Sequence, residues 1–377
     1  MHDLLLFALP VFIAAMAFEW FWGRRHGLDN YGWADTLNSL SQGLLSQAVA
    51  AITPLLQTGI YAWVLGHVHL LPTLRWATPL GWALAVLCYD FCDYWLHRVS
   101  HESAIFWAAH AVHHQSEHFN LSTALRQESF YSVMGFPFFL PLALLGFSTE
   151  QFLTAGMVVL LYQFWIHTEH IGRLGWLDRV FSTPSNHRVH HAVNPGYLDR
   201  NYGAMLVIWD RLFGTFAEER EPCIYGTVTP LANWNPLWAV AQFYAEIARR
   251  IAATPRLIDK LRVPFKSPGW TPPGLTAPDA EAATRRLAQA RFDPPLSTAS
   301  RAWAGAVFIA TAIGTGLWLI RSDELDFLTQ ACAAGLLAAA LWCEGLCLKG
   351  AAKTALPGVG GVALGLLMLL VVMQPLG

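Results

Sequence analysis

Apolar runs separated by polar breaks organise this chain. They cover residues 4–22, 37–65, 76–95, 130–147 and 152–167, and then, after a long polar interval, 303–320, 327–348 and 355–372. A hydrocarbon layer about 30 Å thick takes roughly 20 apolar residues to cross as a helix, so the pattern predicts about eight transmembrane helices. Only residues 146–150 connect the fourth run to the fifth, which predicts a tight hairpin. One short run would fit a buried helix of a soluble protein. Eight in one chain predict an all-α, polytopic integral membrane bundle.

Polar residues orient that bundle. The first run has no basic segment before it and no small-residue cleavage site after it, so it reads as a span and not as a removable signal. Arg24 and Arg25 follow it and place its end in the cytoplasm by the positive-inside rule. Counting spans from there puts residues 96–127 and 168–301 on the cytoplasmic side, with Lys349 and Lys353, and both termini outside. Composition agrees, since 13% of residues are charged where a soluble domain carries about a quarter. Trp20, Trp22, Trp76, Trp95, Trp165 and Trp303 sit at run ends, as interfacial anchors do. A net charge of −2 gives no reason to expect a nucleic-acid partner. The cysteines form no CxxC; Cys88 and Cys92, like Cys343 and Cys347, lie four apart inside apolar runs, as packing residues do.

Three units follow from this pattern. Residues 1–250 hold five runs and every histidine, and form the expected catalytic membrane domain. Residues 251–300 are Pro-rich, with a charged helical piece near 281–291, and read as a cytoplasmic linker. Residues 301–377 hold three runs without a histidine and read as scaffold, partner surface or substrate cover. Just before the linker, apolar positions in 234–251 recur at helical spacing, which predicts either a helix lying in the membrane interface or an ordinary packed one.

The histidines carry the chemistry. His97 and His101 form HRVSH at the end of the third run; His110, His113 and His114 form HAVHH; His187, His190 and His191 form HRVHH; His167 closes the fifth run. Spacings of three and four bring imidazoles to one helical face, with Cβ atoms about 5–6 Å apart. In HxxHH the first two histidines are expected to share a face while the third turns about 100° away, so one triplet serves two neighbouring ions. A catalytic zinc normally takes three protein ligands, and nine imidazoles exceed one ion's needs. The surplus predicts a two-metal centre on the cytoplasmic side, with ions a few ångströms apart. Imidazole suits Zn, Cu, Fe and Ni. Of the others, His118 is expected to support the ring, His170 is a candidate tenth ligand one turn after His167, and His2, His26, His67 and His69 read as surface or loop. Carboxylates able to hold the second ring nitrogen are Asp90, Asp93, Glu102, Glu117, Glu169, Asp199 and Asp210, with pairing to an arginine the alternative for Asp90 and Asp93. Asn201, Tyr202 and Gly203 are placed to shape the pocket floor, and Trp209, Asp210 and Arg211 to act as a clamp. A transporter would string its histidines through the membrane midplane; these lie at helix ends and in loops on one side. A non-catalytic scaffold holding zinc is the remaining alternative.

Longer strings carry a family resemblance. HRVSHE, then HAVHHQSEHFNLSTALRQ, then FWIHTEHIGRLGWLDRVFSTPSNHRVHHAVNPGYLDRNYGAMLVIWDRLFGTF resemble the fatty acid hydroxylase superfamily, which includes sterol desaturases, over roughly residues 75–228. Within it they are most similar to the alkylglycerol monooxygenase branch. The resemblance implies that His97, His101, His110, His113, His114, His187, His190 and His191 bind iron, with His167 matching a histidine between the second and third boxes. Glu102 follows the first box where the branch also has a glutamate, and is the candidate catalytic residue. His170 falls where many relatives are apolar. The implied activity is a di-iron, O2-dependent lipid monooxygenase that cleaves alkylglycerol-type ether lipids to fatty aldehyde and glycerol, with a sterol desaturase or polar-lipid hydroxylase as the alternative. Redox-inert zinc cannot serve such C–H oxidation, which fits iron. No haem-carrying domain accompanies the boxes, so electrons are expected from outside the chain, with tetrahydrobiopterin the reductant the branch implies.

Overall fold

The computed structural model describes residues 2–276, 279, 281–349 and 355–373; Lys353 lies outside these. Its helices, in order, are α1 (His2–Arg25), α2 (Trp33–Ile52), α3 (Ile60–Val68), α4 (Pro79–Glu102), α5 (Ala104–His114), α6 (Leu121–Ala124), α7 (Tyr131–Leu144) and α8 (Thr149–Trp165). They continue as α9 (Pro184–His191), α10 (Ile208–Phe213), α11 (Pro236–Ala253), α12 (Leu257–Arg262), α13 (Ala282–Leu287), α14 (Thr298–Arg321), α15 (Phe327–Leu348) and α16 (Ala355–Val372). Among the described residues there is no β-strand, only the isolated bridges Phe181–Leu206 and Ala192–Tyr225. The all-α expectation holds.

By length and composition, α14, α15 and α16 can each cross a membrane. Helix α7 occupies the fourth expected run but has 14 residues, or about 21 Å at 1.5 Å per residue. Helix α8 begins after four residues, capped by Ser148, whose hydroxyl accepts from Gln151 N, so the hairpin is as tight as expected. The run 37–65, expected as one span, is interrupted. Helix α2 stops at Ile52, Thr53 leaves helical geometry (φ −123°, ψ 30°), and a π-helical turn at Leu55–Gly59 precedes α3. Pro54 explains the break, because a proline disfavours α geometry in the residue before it and donates no hydrogen bond. The polar face of α2 is buried: Asp35, Asn38, Ser39, Ser41 and Gln42 are all at most 2% exposed.

Those buried polar groups join the two halves of the molecule. The Ser41 hydroxyl donates to Glu344 of α15 (2.9 and 3.0 Å), while the Asn38 and Gln42 amides donate to the carbonyls of Trp234 and Pro236. Within the C-terminal unit, Gly358 and Gly361 of α16 sit directly on Trp303 and Val307 of α14, the close approach small residues permit between membrane helices. Helix α11 packs on α5 through Phe243 and Ile247, so the segment 234–251 is a packed helix and not one lying free in the interface.

A Cβ built on Gly345 would stand 2.6 Å from the Asn235 side chain. Gly345→Val is therefore expected to destabilise the docking of α15 by about 1–3 kcal/mol, read as a lowered Tm in detergent; an unchanged Tm would mean the two halves are not held at this seam.

Candidate metal centre

Four short segments deliver the imidazoles. His97 and His101 lie on the last two turns of α4. The chain breaks at Ser103 (φ −127°, ψ 127°) and restarts as α5, which carries His110, His113 and His114. His167 follows the end of α8, and Pro184 opens α9, whose eight residues include His187, His190 and His191. Nine buried histidines meet there in two sets. One holds His97, His101, His110, His114 and His190; the other holds His113, His167, His187 and His191. Within each, the ligand atoms all lie within 4.8 Å of one another.

Each triplet is shared between the sets, though not in the expected way. It is the i, i+4 pair that stays together, His110 with His114 and His187 with His191, while His113 and His190 cross to the other set. At 3.6 residues per turn a step of four overshoots by about 40°, whereas a step of three falls about 60° short. The two triplets are used in opposite senses, so each set receives a pair from one and a single histidine from the other. The sets abut: the rings of His114 and His191 are 4.4 Å apart between centroids, and those of His187 and His190 5.2 Å.

The nitrogens have a consistent polarity. Nδ1 points outward to an acceptor in His97 (Tyr202 carbonyl, 2.7 Å), His113 (Arg126 carbonyl, 3.1 Å), His167 (Gln163 carbonyl, 2.7 Å) and His190 (Arg200 carbonyl, 2.9 Å). His110 Nδ1 donates to Glu128 at 2.6 Å, and His101 Nδ1 stands 3.4 Å from Asp199. An Nδ1–H so engaged leaves the Nε2 lone pair facing inward. In the first set, Nε2 of His97, His101 and His190 is buried without a partner. In the second, Nε2 atoms stand 2.9 Å apart for His187 and His167, 3.1 Å for His191 and His187, and 3.3 Å for His167 and His113. Neighbouring ligands on one ion with metal–nitrogen bonds of about 2.1 Å have such spacings. Orphaned, converging lone pairs fit a cation in each set.

Burial, helped by neighbouring imidazoles, holds His97, His110, His114, His187, His190 and His191 well below the usual range, and His113 at about 4. The neutral, ligating form is thus the resting form.

The loop behind α9 supplies two of the carbonyls. Asp199 (φ 58°) and Asn201 (φ 55°) take left-handed backbone geometry, which is costly for non-glycine residues. The Asn201 amide holds it by donating to the Asn186 and Ala217 carbonyls and accepting from Ala217 N. Asp210 acts as the expected clamp, accepting from Tyr202 N, Gly203 N and the Thr215 hydroxyl.

Other expected roles fall elsewhere. Glu102 is half-exposed and paired with Arg98 at 2.9 Å, outside the ring. His170 lies beside Asn30, and His118 beside Arg291, both apart from the two sets. Asp90 accepts from Met205 N and the Trp209 indole, so it binds neither a ring histidine nor an arginine. Glu117 pairs with Arg286 at 2.6 Å, and Glu169 accepts from Tyr225. Glu128 is the residue sequence reasoning missed: it lies 18 positions from His110, and no spacing rule connects them.

Two measurements test this centre. His113→Ala and His190→Ala should each lose activity and retain about one bound ion instead of two while keeping helical circular dichroism, and Glu128→Gln should weaken metal binding about 10–100-fold. Retention of both ions by either alanine variant would remove that triplet from the ring. The second measurement is the pH dependence of the metal-free protein. Unfolded imidazoles take up protons near pH 6.5, whereas His113 in the folded chain does so only at about 4. Stability is therefore present above about 6.5 and falls as pH drops from there towards 4; a flat denaturation profile over that interval would contradict the buried, neutral assignment.

Residues 82–215, which enclose all nine histidines, match the fatty acid hydroxylase family model. Alkylglycerol monooxygenase of Danio rerio is 42% identical over 239 residues, 63% of this chain and 53% of that protein. The Homo sapiens alkylglycerol monooxygenase is 40% identical over 238 residues, again 63% and 53%. Ornithine lipid hydroxylase OlsE of Rhizobium tropici is 30% identical over 219 residues, 57% of this chain and 65% of that one. The chain thus spans about half the length of the alkylglycerol monooxygenases it matches. No solved structure matches it. From its boxes to its clamp, the region that builds the two histidine sets is thus the part of the chain that is similar to the fatty acid hydroxylase family.

Proposed function

We propose that this protein is a membrane-embedded di-iron monooxygenase that uses O2 to hydroxylate a lipid, with an alkylglycerol-type ether lipid as substrate. The observation that carries the reading is the pair of buried histidine sets with converging Nε2 atoms, three of them unpartnered in the first set, in a domain shared with relatives named alkylglycerol monooxygenase. The nine histidines would hold the irons, which supply the oxidising power for a C–H bond that no side chain can attack.

The chain's own residues set the conditions. Tyr202, Arg126, Arg200 and Gln163 hold the Nδ1 protons with their carbonyls, and Glu128 holds that of His110. Each therefore keeps one ring in the tautomer that presents Nε2. Burial keeps bulk water from the ring. Glu102, tied to Arg98 one residue beyond His101, is assigned a positioning role at the rim. Hydroxylation at the carbon beside an ether oxygen gives a hemiacetal, which separates into fatty aldehyde and glycerol.

The reading extends to the whole chain. Residues 1–250 form the catalytic unit, 251–300 the cytoplasmic linker and 301–377 the closing membrane helices, within a bundle of about eight spans. The site faces the cytoplasm, where an external donor such as tetrahydrobiopterin can reach it. A second reading, hydroxylation of a polar acyl lipid, draws on the likeness to the ornithine lipid hydroxylase, and a sterol substrate on the 27% identity over 146 residues to a sterol 5(6)-desaturase of Neurospora crassa.

The test loads purified protein with Fe(II) without air, then adds O2, tetrahydrobiopterin and an alkylglycerol. Fatty aldehyde, formed in proportion to O2 consumed and absent for His113→Ala, is the expected result. A hydroxylated acyl lipid or sterol in place of aldehyde, under another reductant, would shift the assignment to the second reading.

A further inference from the structure

Between α11 and the Pro-rich segment the chain forms a short element with two unlike faces. Helix α12 and the turn after it read RLIDKLRVPFK from Arg256 to Lys266. Val263 is wholly buried and packs with Ala104, Ala108, Phe243 and Ile247. Asp259, 1% exposed, accepts ion pairs from Arg262 (3.1 Å) and Arg256 (3.6 Å). One face is thereby fixed to the body of the protein.

The opposite face is apolar and bare. Leu257 is 73% exposed, Ile258 47%, Leu261 62% and Phe265 72%. Leu257, Ile258 and Leu261, at i, i+1 and i+4, make one stripe on α12, and Phe265 is exposed in the turn that follows. No helix of the described residues covers it. Arg256, Arg262 and Lys266 are exposed beside the stripe, with Lys260 half-buried. Single exposed apolar residues are ordinary, but four large ones together mark a binding surface. Cations flanking a bare apolar stripe fit a lipid leaflet with anionic headgroups, where apolar side chains enter the acyl boundary and basic ones meet phosphates.

The element is also wired to the metal centre. The Lys266 carbonyl accepts from Ala104 N and the Pro264 carbonyl from Ile105 N, both at 2.8 Å, and Pro264 also accepts from the Ser103 hydroxyl. These are donors at the open first turn of α5, which otherwise find no partner within the helix, and α5 carries His110, His113 and His114. We infer that the segment from Arg256 to Lys266 is a membrane-surface anchor that seats in the anionic leaflet and fixes the histidine-bearing helix α5 at a set height above the acyl chains. This goes beyond the catalytic reading and does not depend on it.

Photo-crosslinking of the full-length chain in vesicles tests it without any activity measurement. Benzoylphenylalanine replaces Leu261 or Phe265 in turn, and Gln289, exposed beside the buried Arg286–Glu117 pair, as control. The vesicles contain phosphatidylcholine with or without phosphatidylglycerol. Lipid adducts by mass spectrometry at Leu261 and Phe265, several-fold above Gln289 and enriched in phosphatidylglycerol, are the expected outcome. Lys260→Gln combined with Lys266→Gln should remove that enrichment while leaving phosphatidylcholine adducts. Cross-linked dimers without lipid adducts would overturn the anchor in favour of a contact between two copies, and adducts no more frequent than at Gln289 would overturn it outright. Adducts lacking any preference for phosphatidylglycerol would overturn the anionic leaflet as the seat.

Discussion

Nine imidazoles turned lone pair to lone pair in a buried space are the constraint on which this structure rests. Two unit charges 4 Å apart at an effective dielectric of about 20 repel by about 4 kcal/mol, so a ring protonated at several positions would drive the four supporting segments apart. Left neutral and without a cation, the ring still contains buried acceptors facing one another, and unsatisfied buried polar atoms are costly. The second nitrogen of most rings eases the problem. Backbone carbonyls and one carboxylate accept the Nδ1 protons of His97, His110, His113, His167 and His190 from outside, which turns the Nε2 lone pairs of these five rings inward, where they suit a cation.

That requirement reaches into the fold. A carbonyl must face His97 and another His190 from one short loop, and the loop achieves this by placing Asp199 and Asn201 in left-handed geometry on either side of Arg200. Asp210 gathers Tyr202 N and Gly203 N, and Asn201 spans two carbonyls. The WDR string and the asparagine before Tyr202 therefore serve the ring at one remove, by over-determining a strained backbone.

Much of this could be read from the residues alone, and the physical reason is locality. Histidines three or four apart must share a helical neighbourhood, so the contribution of the three boxes to the ring is legible in the sequence. The allocation within it was not, because the 40° and 60° offsets of steps four and three decide which pair stays together only once two helices face each other. Glu128 was invisible for the converse reason: it meets His110 through the path of α6 and the loop after it, a tertiary event with no spacing signature. Hydropathy likewise marked apolar stretches but not their continuity. Thr53 and Pro54 break the second run, and the polar face of α2, which lowers its apparent apolar character, is the seam to α15.

The segment that composition marks as a linker is more than a tether. Its Arg286, 2% exposed, pairs with Glu117, and Phe292 N donates to the other oxygen of the same carboxylate. Glu117 stands three residues beyond His114, and the next residue but one, Phe119, is fully buried with its ring against His167, His191 and Tyr225. Ser116, one residue earlier, donates to Asp35 at the start of α2. The loop that closes the second histidine set is thus held from two sides, by the first polar helix and by a strand of chain 170 residues further on. Buried ion pairs of this kind add little net stability, because desolvation offsets attraction, but breaking one leaves a stranded charge and is strongly destabilising. Such a contact is better suited to enforcing one arrangement than to strengthening it, and here the arrangement enforced is that of the aromatic wall beside the ring.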